Sequence, residues 1–274
     1  MAIGTPDDAK ARATATYNAA ADAYDHPANS FWARFGRNTI DRLDLHNGDH
    51  VLDVCCGSGA SAIPAAAKVG NAGSVLGVDL SERLLALARA KAHSLQLGNI
   101  EFRAGDMLDL RLPAAKFDAV VCVFGVFFVP DIAAAVRALW HVVRSGGKLA
   151  ITTWGPRFLE PGTSAFWDSI RAVRPDLYKG FNPWDRICDP PSLRALLREG
   201  GVEQADVVAE AAVHPIVSPE AWWAAVLGTG YRGTVDQLDP PDFECVRAAN
   251  LDYVRGSAIS AVEVNVVYAI ATKP

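Results

Sequence analysis

Three aspartates at the ends of three apolar stretches carry the most informative chemistry in this sequence. Asp53 sits in Val51-Leu52-Asp53-Val54, a run that breaks abruptly into Cys55-Cys56-Gly57-Ser58-Gly59. Gly57 and Gly59 let a ligand approach the backbone, and free N–H groups at the start of the helix expected over 59–69 favour an anionic group there. Asp79 stands twenty positions after Gly59, a spacing at which an acidic side chain accepts hydrogen bonds from ribose hydroxyls. Asp106, beside the apolar Met107, is placed to meet an adenine amino group. A lone aspartate at a strand end is more often a cap or a loop solvator. Three at successive strand ends point together to a nucleoside-containing ligand.

The turn discriminates among such ligands. A dinucleotide fingerprint wants G-x-G-x-x-G with no carboxylate crowding the pyrophosphate; here Ala62 replaces the third glycine, which the looser form tolerates. Asp53 ahead of the turn repels a pyrophosphate and welcomes a cationic ligand. No Gly-Lys-Ser/Thr phosphate loop is present.

Positioning these residues requires strand–helix alternation, and residues 50–154 supply it. Strands are expected over 51–55, 74–79, 100–104, 117–123 and 148–154, with helices over 59–69, 81–95 and 132–143 between them. Such alternation means right-handed crossovers and a parallel sheet covered on both faces, with ligands beyond the carboxyl ends of the strands. Upstream, 7–24 reads as a helix with Tyr17 and Tyr24 on one face, and 30–45 as a second, amphipathic helix. The pair serves equally well as a lid or as packing for the sheet edge. Residues 155–190 break the alternation with prolines and six aromatics. A helix over 191–199, a strand over 202–210, a helix capped by Ser218 with Pro219 in its first turn, and a closing strand over 262–271 follow.

The bulk composition limits the function classes. With 274 residues, 50% hydrophobic and 21% charged, the chain supports a sizeable core. A net charge of −5 argues against a nucleic-acid surface, which needs a basic stripe. No apolar run is long enough to span a bilayer, and Met1 to Lys10 lack the features of a secretory signal. Five cysteines, none in a C-x-x-C pair, disfavour a disulfide framework or a zinc site and suit a reducing cytoplasm. Adjacent Cys55 and Cys56 would close only a strained ring, so they do not read as a redox pair.

Taken in order, the motifs resemble those of class I S-adenosylmethionine-dependent methyltransferases, in particular the small-molecule subgroup that includes quinone-biosynthesis enzymes. The matching pieces are Val51–Gly59, Gly77-Val78-Asp79-Leu80-Ser81, Ala104-Gly105-Asp106-Met107, Phe117–Val121 and Ser145-Gly146-Gly147-Lys148-Leu149. The resemblance covers about 46–154 and weakens toward the C-terminus. It implies a Rossmann-like, doubly wound α/β fold: a mostly parallel seven-stranded sheet with an N-terminal helical lid and an aromatic-rich helical cap. It divides one domain into a lid (1–46), a cofactor core (47–154), a substrate cap with late core elements (155–235) and closing strands (236–274). The implied cofactor is S-adenosyl-L-methionine, leaving as S-adenosyl-L-homocysteine, with no metal.

The same resemblance implies roles. Asp53 sits near the cationic amine of the cofactor's amino-acid end, and the backbone at Gly57 and Gly59 faces the methionine and ribose portions. Asp79, with Leu80 beside it, binds the ribose, Asp106 the adenine amine, Met107 packs on the ring, and Phe124 lines the pocket. Tyr17 and Tyr24 match a mobile N-terminal lid. The family's first glycine is Cys55 here, at a position expected to stay below φ = 0. Where relatives often carry histidine, this chain has Val126-Phe127-Phe128-Val129, an apolar pocket floor.

Methyl transfer from a sulfonium needs mainly orientation and desolvation, with a base only if the acceptor must lose a proton. Among the histidines, His26 and His214 remain as base candidates. Phe128, Trp154, Trp184, Trp222, Tyr231 and Arg232 are the expected acceptor pocket; the aromatics outside the sheet serve equally as the cap's own core. The expected partner is a small, apolar or aromatic substrate, with no nucleic acid and no membrane span, for a monomer or homodimer. Methylation at an oxygen, hydroxyl or carboxylate, is the first reading. A C-methyltransferase of a quinone or polyketide ring, a non-catalytic adenosylmethionine-binding protein and a NAD-linked oxidoreductase are the alternatives.

Overall fold

A computed structural model describes the backbone of residues 6–274 and the side chains from Lys10 onward. The reading of the first residues as lacking a secretory signal concerns positions largely outside that range. In chain order the strands are β1 (His50–Val54), β2 (Ser74–Asp79), β3 (Ile100–Ala104), β4 (Phe117–Val123), β5 (Val143–Trp154), β6 (Asp206–Glu210), β7 (Val213–Pro215), β8 (Ala261–Glu263) and β9 (Val266–Thr272). The helices are α1 (Pro6–Tyr24), α2 (Phe31–Arg42), α3 (Ala62–Val69), α4 (Glu82–Ser94), α5 (Ile132–Val142), α6 (Gly162–Val173), α7 (Pro190–Glu199), α8 (Pro219–Leu227), α9 (Arg232–Val235) and α10 (Pro240–Gly256). No helix among the described residues is long and apolar enough to cross a membrane.

Seven strands form one sheet in the order β3-β2-β1-β4-β5-β9-β6. β1 pairs in parallel with both β2 (Val51↔Val75) and β4 (Val51↔Ala119), so the chain reverses its direction of sheet growth between β1 and β4. β9 alone runs antiparallel to its neighbours β5 and β6. Val51, Leu52, Ala119, Val120 and Val121 are fully buried, as strands covered by helices on both faces demand. The expected α/β Rossmann-like architecture is therefore what the chain forms. Its switch point between β1 and β4 opens a crevice at the strands' carboxyl ends.

Local capping sets the helix starts around that crevice. Ser81 Oγ accepts the Leu84 N–H at 3.2 Å to open α4, and Ser218 Oγ accepts the Ala221 N–H at 3.1 Å to open α8, with Pro219 in its first turn. α3 starts at Ala62, three residues later than expected, because Gly59 at φ +87° extends the turn. Ser61 gives its hydroxyl to Asp53 instead of capping the helix.

Three helices are absent from the sequence reading, the four-residue α9 among them. α6 lies inside the proline- and aromatic-rich stretch. α10 occupies the first half of 236–274, where closing strands were expected, and strand pairing resumes only at Ala261. α10 packs on α6 and α8, while α1 packs on α4, α8 and α9, so α1 spans from the sheet layer to the cap.

Candidate active site

The crevice is built from the ends of β1, β2, β3 and β4 and roofed by α1. Asp79, the last residue of β2, accepts the Gly57 N–H on Oδ2 and the Ser81 N–H on Oδ1, both at 2.8 Å. Burial raises its pKa, while the N–H groups of Ser81, Gly57 and Leu80 pull the other way. Each oxygen of this carboxylate retains a lone pair for a further donor. Gly57 lies at φ +53°, and a Cβ there would stand 3.1 Å from the Tyr24 hydroxyl, so the turn is shaped for bare backbone. Asp106 accepts the Leu108 N–H on Oδ1 at 2.9 Å and pairs through Oδ2 with Lys10 of α1 at 2.7 Å. Met107, buried beside it, offers an apolar surface.

Aromatic rings form the other wall. Tyr24 stacks on Trp32 at 5.0 Å, nearly parallel, and Tyr17 meets both Tyr24 (6.3 Å) and Phe128 (5.5 Å) edge-on. Phe124 stacks on Trp154 at 3.7 Å with its own backbone at φ +56°, outside the regions an aromatic residue prefers. Cys55, beside Gly125 at the end of the adjacent strand β1, stands at φ +59°. Two strained non-glycine residues thus flank one cavity, a pattern that marks functional sites.

Tyr17, Trp32, Phe128 and Val129 line the crevice, of about 150 Å³, and also a second, larger cavity of about 1010 Å³. Phe127, Trp154, Phe158, Trp167, Trp184 and Tyr231 form its apolar walls. Tyr231 is held by Thr163, hydroxyl to hydroxyl at 2.8 Å, and burial raises its pKa, so it stays protonated.

Of the residues singled out in the sequence, the structure gathers Tyr17, Tyr24, Cys55, Gly57, Asp79, Leu80, Asp106, Met107 and Phe124 around the crevice. Phe128, Trp154, Trp184 and Tyr231 line the second cavity. Six others lie elsewhere. Asp53 is 1% exposed and lines neither cavity; Oδ2 accepts the Ser61 hydroxyl at 2.6 Å, and Oδ1 is buried without a partner. Burial pushes its pKa up to about 7 against the Ser61 hydrogen bond. Contrary to the expectation that it faces the ligand's amine, its hydrogen-bonded oxygen is turned onto Ser61, away from both cavities. Gly59 packs on Ile63 and Ala88, behind the turn.

His26 is exposed and caps the short turn Pro27–Asn29, its Nδ1 accepting the Ala28 N–H at 3.1 Å. His214 is buried in β7, with Nε2 2.9 Å from the Ala28 carbonyl and its ring edge-on to Phe31; burial lowers its pKa, so it is a neutral donor. Neither histidine reaches a cavity, and neither is positioned as a base. Trp222 is fully buried, giving its indole N–H to Asn250 Oδ1 at 3.0 Å, and is core of the cap. Arg232 is committed to Asp236 at 2.5 Å and lines neither cavity. Cys55 needs a further correction: its positive φ contradicts the expected negative one, because the chain must turn sharply away from β1 before Cys56 N–H bonds back to the Val78 carbonyl at 3.1 Å.

Several crevice residues escaped the sequence reading, including Lys10, Thr14 and Leu84. Lys10 and Thr14 lie one turn apart on α1, a periodicity visible in the sequence, but nothing there says which face turns to the sheet.

Comparison with known proteins decides the kind of domain: residues 51–147 match the family model described as "Methyltransferase domain". That stretch is similar to a methyltransferase domain. Its match ends with β5's first residues, so it holds the crevice-forming strand ends and not the cap. The domain is 32% identical over 143 residues to the demethylmenaquinone methyltransferase of Oceanobacillus iheyensis (52% of this chain, 60% of that protein). It is 33% identical over 144 residues to an aklanonic acid methyltransferase of a Streptomyces species (53% and 66%). The matched stretch thus spans slightly under two thirds of these relatives' length. Among solved structures, the cyclase SpnF superposes with TM-score 0.55 at 21% identity, covering 88% of this chain and 81% of its own. Haemonchus contortus phosphoethanolamine N-methyltransferase 2, solved with S-adenosylhomocysteine, superposes with TM-score 0.54 at 16% identity, covering 88% and 52%. The structural likeness is one of fold.

Proposed function

We propose that this chain is an S-adenosylmethionine-dependent methyltransferase whose acceptor is a bulky, largely apolar, aromatic molecule methylated at oxygen. The observation that carries the reading is the junction itself. A crevice bounded by Asp79, Asp106, Met107 and the bare backbone at Gly57 opens, past Tyr17, Trp32 and Phe128, into a 1010 Å³ aromatic-walled cavity. The crevice residues fit an adenosyl group. Asp79 has acceptor capacity left for two ribose hydroxyls, Met107 suits a flat ring, and Asp106 accepts donors at its edge. When bound, this cofactor supplies an electrophilic methyl on a sulfonium.

The chain's own residues then have three tasks. Asp79, locked by two backbone N–H bonds, fixes the orientation of the crevice's ligand. Ring faces of Tyr17, Trp32 and Phe128 at the junction attract a cationic centre and exclude water from it. The walls of the second cavity hold a planar acceptor by area. No histidine lines either cavity, and the tyrosines at Tyr17 and Tyr231 have pKa values raised by burial, so none is a ready base. That favours an acceptor already anionic at neutral pH, a carboxylate or an acidic phenol, over a simple alcohol. The names of the two relatives, a quinone-type and a polyketide-acid methyltransferase, agree with a cavity of this size and lining. Incubation with tritiated cofactor and a panel of aromatic acids, phenols and quinones tests the proposal. Label is expected on an acid or acidic phenol and released by mild alkali from an ester; label fixed to ring carbon would favour the C-methylating alternative.

A further inference from the structure

We infer that the large cavity holds its acceptor by an anionic group clamped between Arg12 of α1 and Lys179 of the loop after α6, at a place distinct from the methyl-transfer point. The inference rests on the methyltransferase reading and adds a charge requirement to its acceptor. Arg12, Lys179 and Arg186 line the second cavity and not the crevice. Most arginines of this molecule are paired with carboxylates, as Arg83 is with Asp22 and Arg174 with Asp176. Arg12, Lys179 and Arg186 have no ion pair among the described residues.

Two carboxylates share the cavity, and neither serves these cations. Asp236 is taken by Arg232, and Asp185 accepts the Asn182 N–H at 2.7 Å and its side-chain amide at 3.2 Å. Arg12 and Lys179 both line the cavity from its exposed rim; desolvation and then the Arg12 guanidinium hold the Lys179 ammonium below the usual lysine range. Like charges left facing one another without a counterion are unfavourable, and an anion entering between them relieves both. Phe181, two residues on, is 73% exposed on the same rim, an apolar surface beside the charge. A flat ring system bearing a carboxylate or similar acid matches both features, with its rings among Trp167, Trp184 and Phe181 and its acid on the cations.

The clamp is read out with a matched pair of probes, anthraquinone-2-carboxylate and anthraquinone-2-carboxamide, titrated by tryptophan fluorescence in the presence of S-adenosylhomocysteine. The acid is expected to bind about five- to tenfold tighter than the amide, with the gap narrowing as salt rises. In the Arg12→Gln/Lys179→Gln variant the gap is expected to close while the amide's affinity stays unchanged. Equal binding of the two probes by the unaltered protein, or a gap that survives in the double variant, overturns the clamp. Failure of both probes to bind overturns it as well. S-adenosylhomocysteine titrated alone into the unaltered protein and the double variant reads the cofactor assignment separately, since neither Arg12 nor Lys179 lines the crevice.

Discussion

Cys55 occupies a position whose φ of +59° costs a side-chain-bearing residue about 1–2 kcal/mol relative to glycine's freedom there. Its thiol fills the space beside Gly125 and Cys122, so a simple truncation loses packing as well. Comparing two truncations isolates the backbone: Cys55→Gly is expected to be about 1 kcal/mol more stable than Cys55→Ala by thermal unfolding. Equal stabilities would remove the strain argument. Asp53 makes the pH-dependent counterpart. Its pKa is raised from near 3.8 to about 7, so the folded state binds a proton that the unfolded state has released across that window. Its contribution is therefore fully present below about pH 4 and lost as pH rises through 7, on the order of 4 kcal/mol above it. Asp53→Asn is expected to raise the melting temperature at pH 8 and to do much less at pH 5. The aspartate itself was legible in the sequence. Its direction was not, because whether a strand-end carboxylate turns up to a ligand or down onto Ser61 depends on where the helix starts.

At the scale of elements, α1 decides access to the crevice. Its C-terminal part is buried, with Ala20 wholly inside and Tyr24 stacked on Trp32. Its earlier turns add polar contacts: Lys10 to Asp106 and Asn18 Oδ1 to the Ser81 hydroxyl at 2.8 Å. Exposed ion pairs contribute about 0–1 kcal/mol each, so the start of α1 can lift without unfolding the domain. Lys10→Ala is expected to speed dissociation of S-adenosylhomocysteine severalfold in stopped flow while shifting the melting temperature by less than about 2 °C. An unchanged off-rate would mean that α1 is fixed packing rather than a lid. The sequence left those two roles open because both need the same amphipathic helix. α6 and α10 escaped notice for a different reason. α10 follows Asp239-Pro240-Pro241, whose cap (Asp239 accepting the Asp242 N–H at 2.9 Å) is a legible start, but its weakly amphipathic body gives no strong period.

At the scale of the whole molecule, β1 to β5 were readable because their valine-rich runs alternate with helices, and the parallel order follows from crossover handedness. That part of the chain brings Asp79, Asp106 and the Gly57 turn to one crevice from residues far apart in sequence. The cap was readable only as aromatic. Trp222, expected in the pocket, is core, while Trp167 and Phe158 line the cavity, since composition does not distinguish the inward side of a helix from its wall. The central claim is that the crevice takes an adenosyl cation rather than a dinucleotide. Calorimetric titration of the full chain with S-adenosylhomocysteine and, separately, with NADH tests it most directly. The account predicts one site for S-adenosylhomocysteine, weakened at least about tenfold in a folded Asp79→Ala variant, and no heat from NADH. Binding of NADH with none of S-adenosylhomocysteine, or full affinity in the variant, would contradict it.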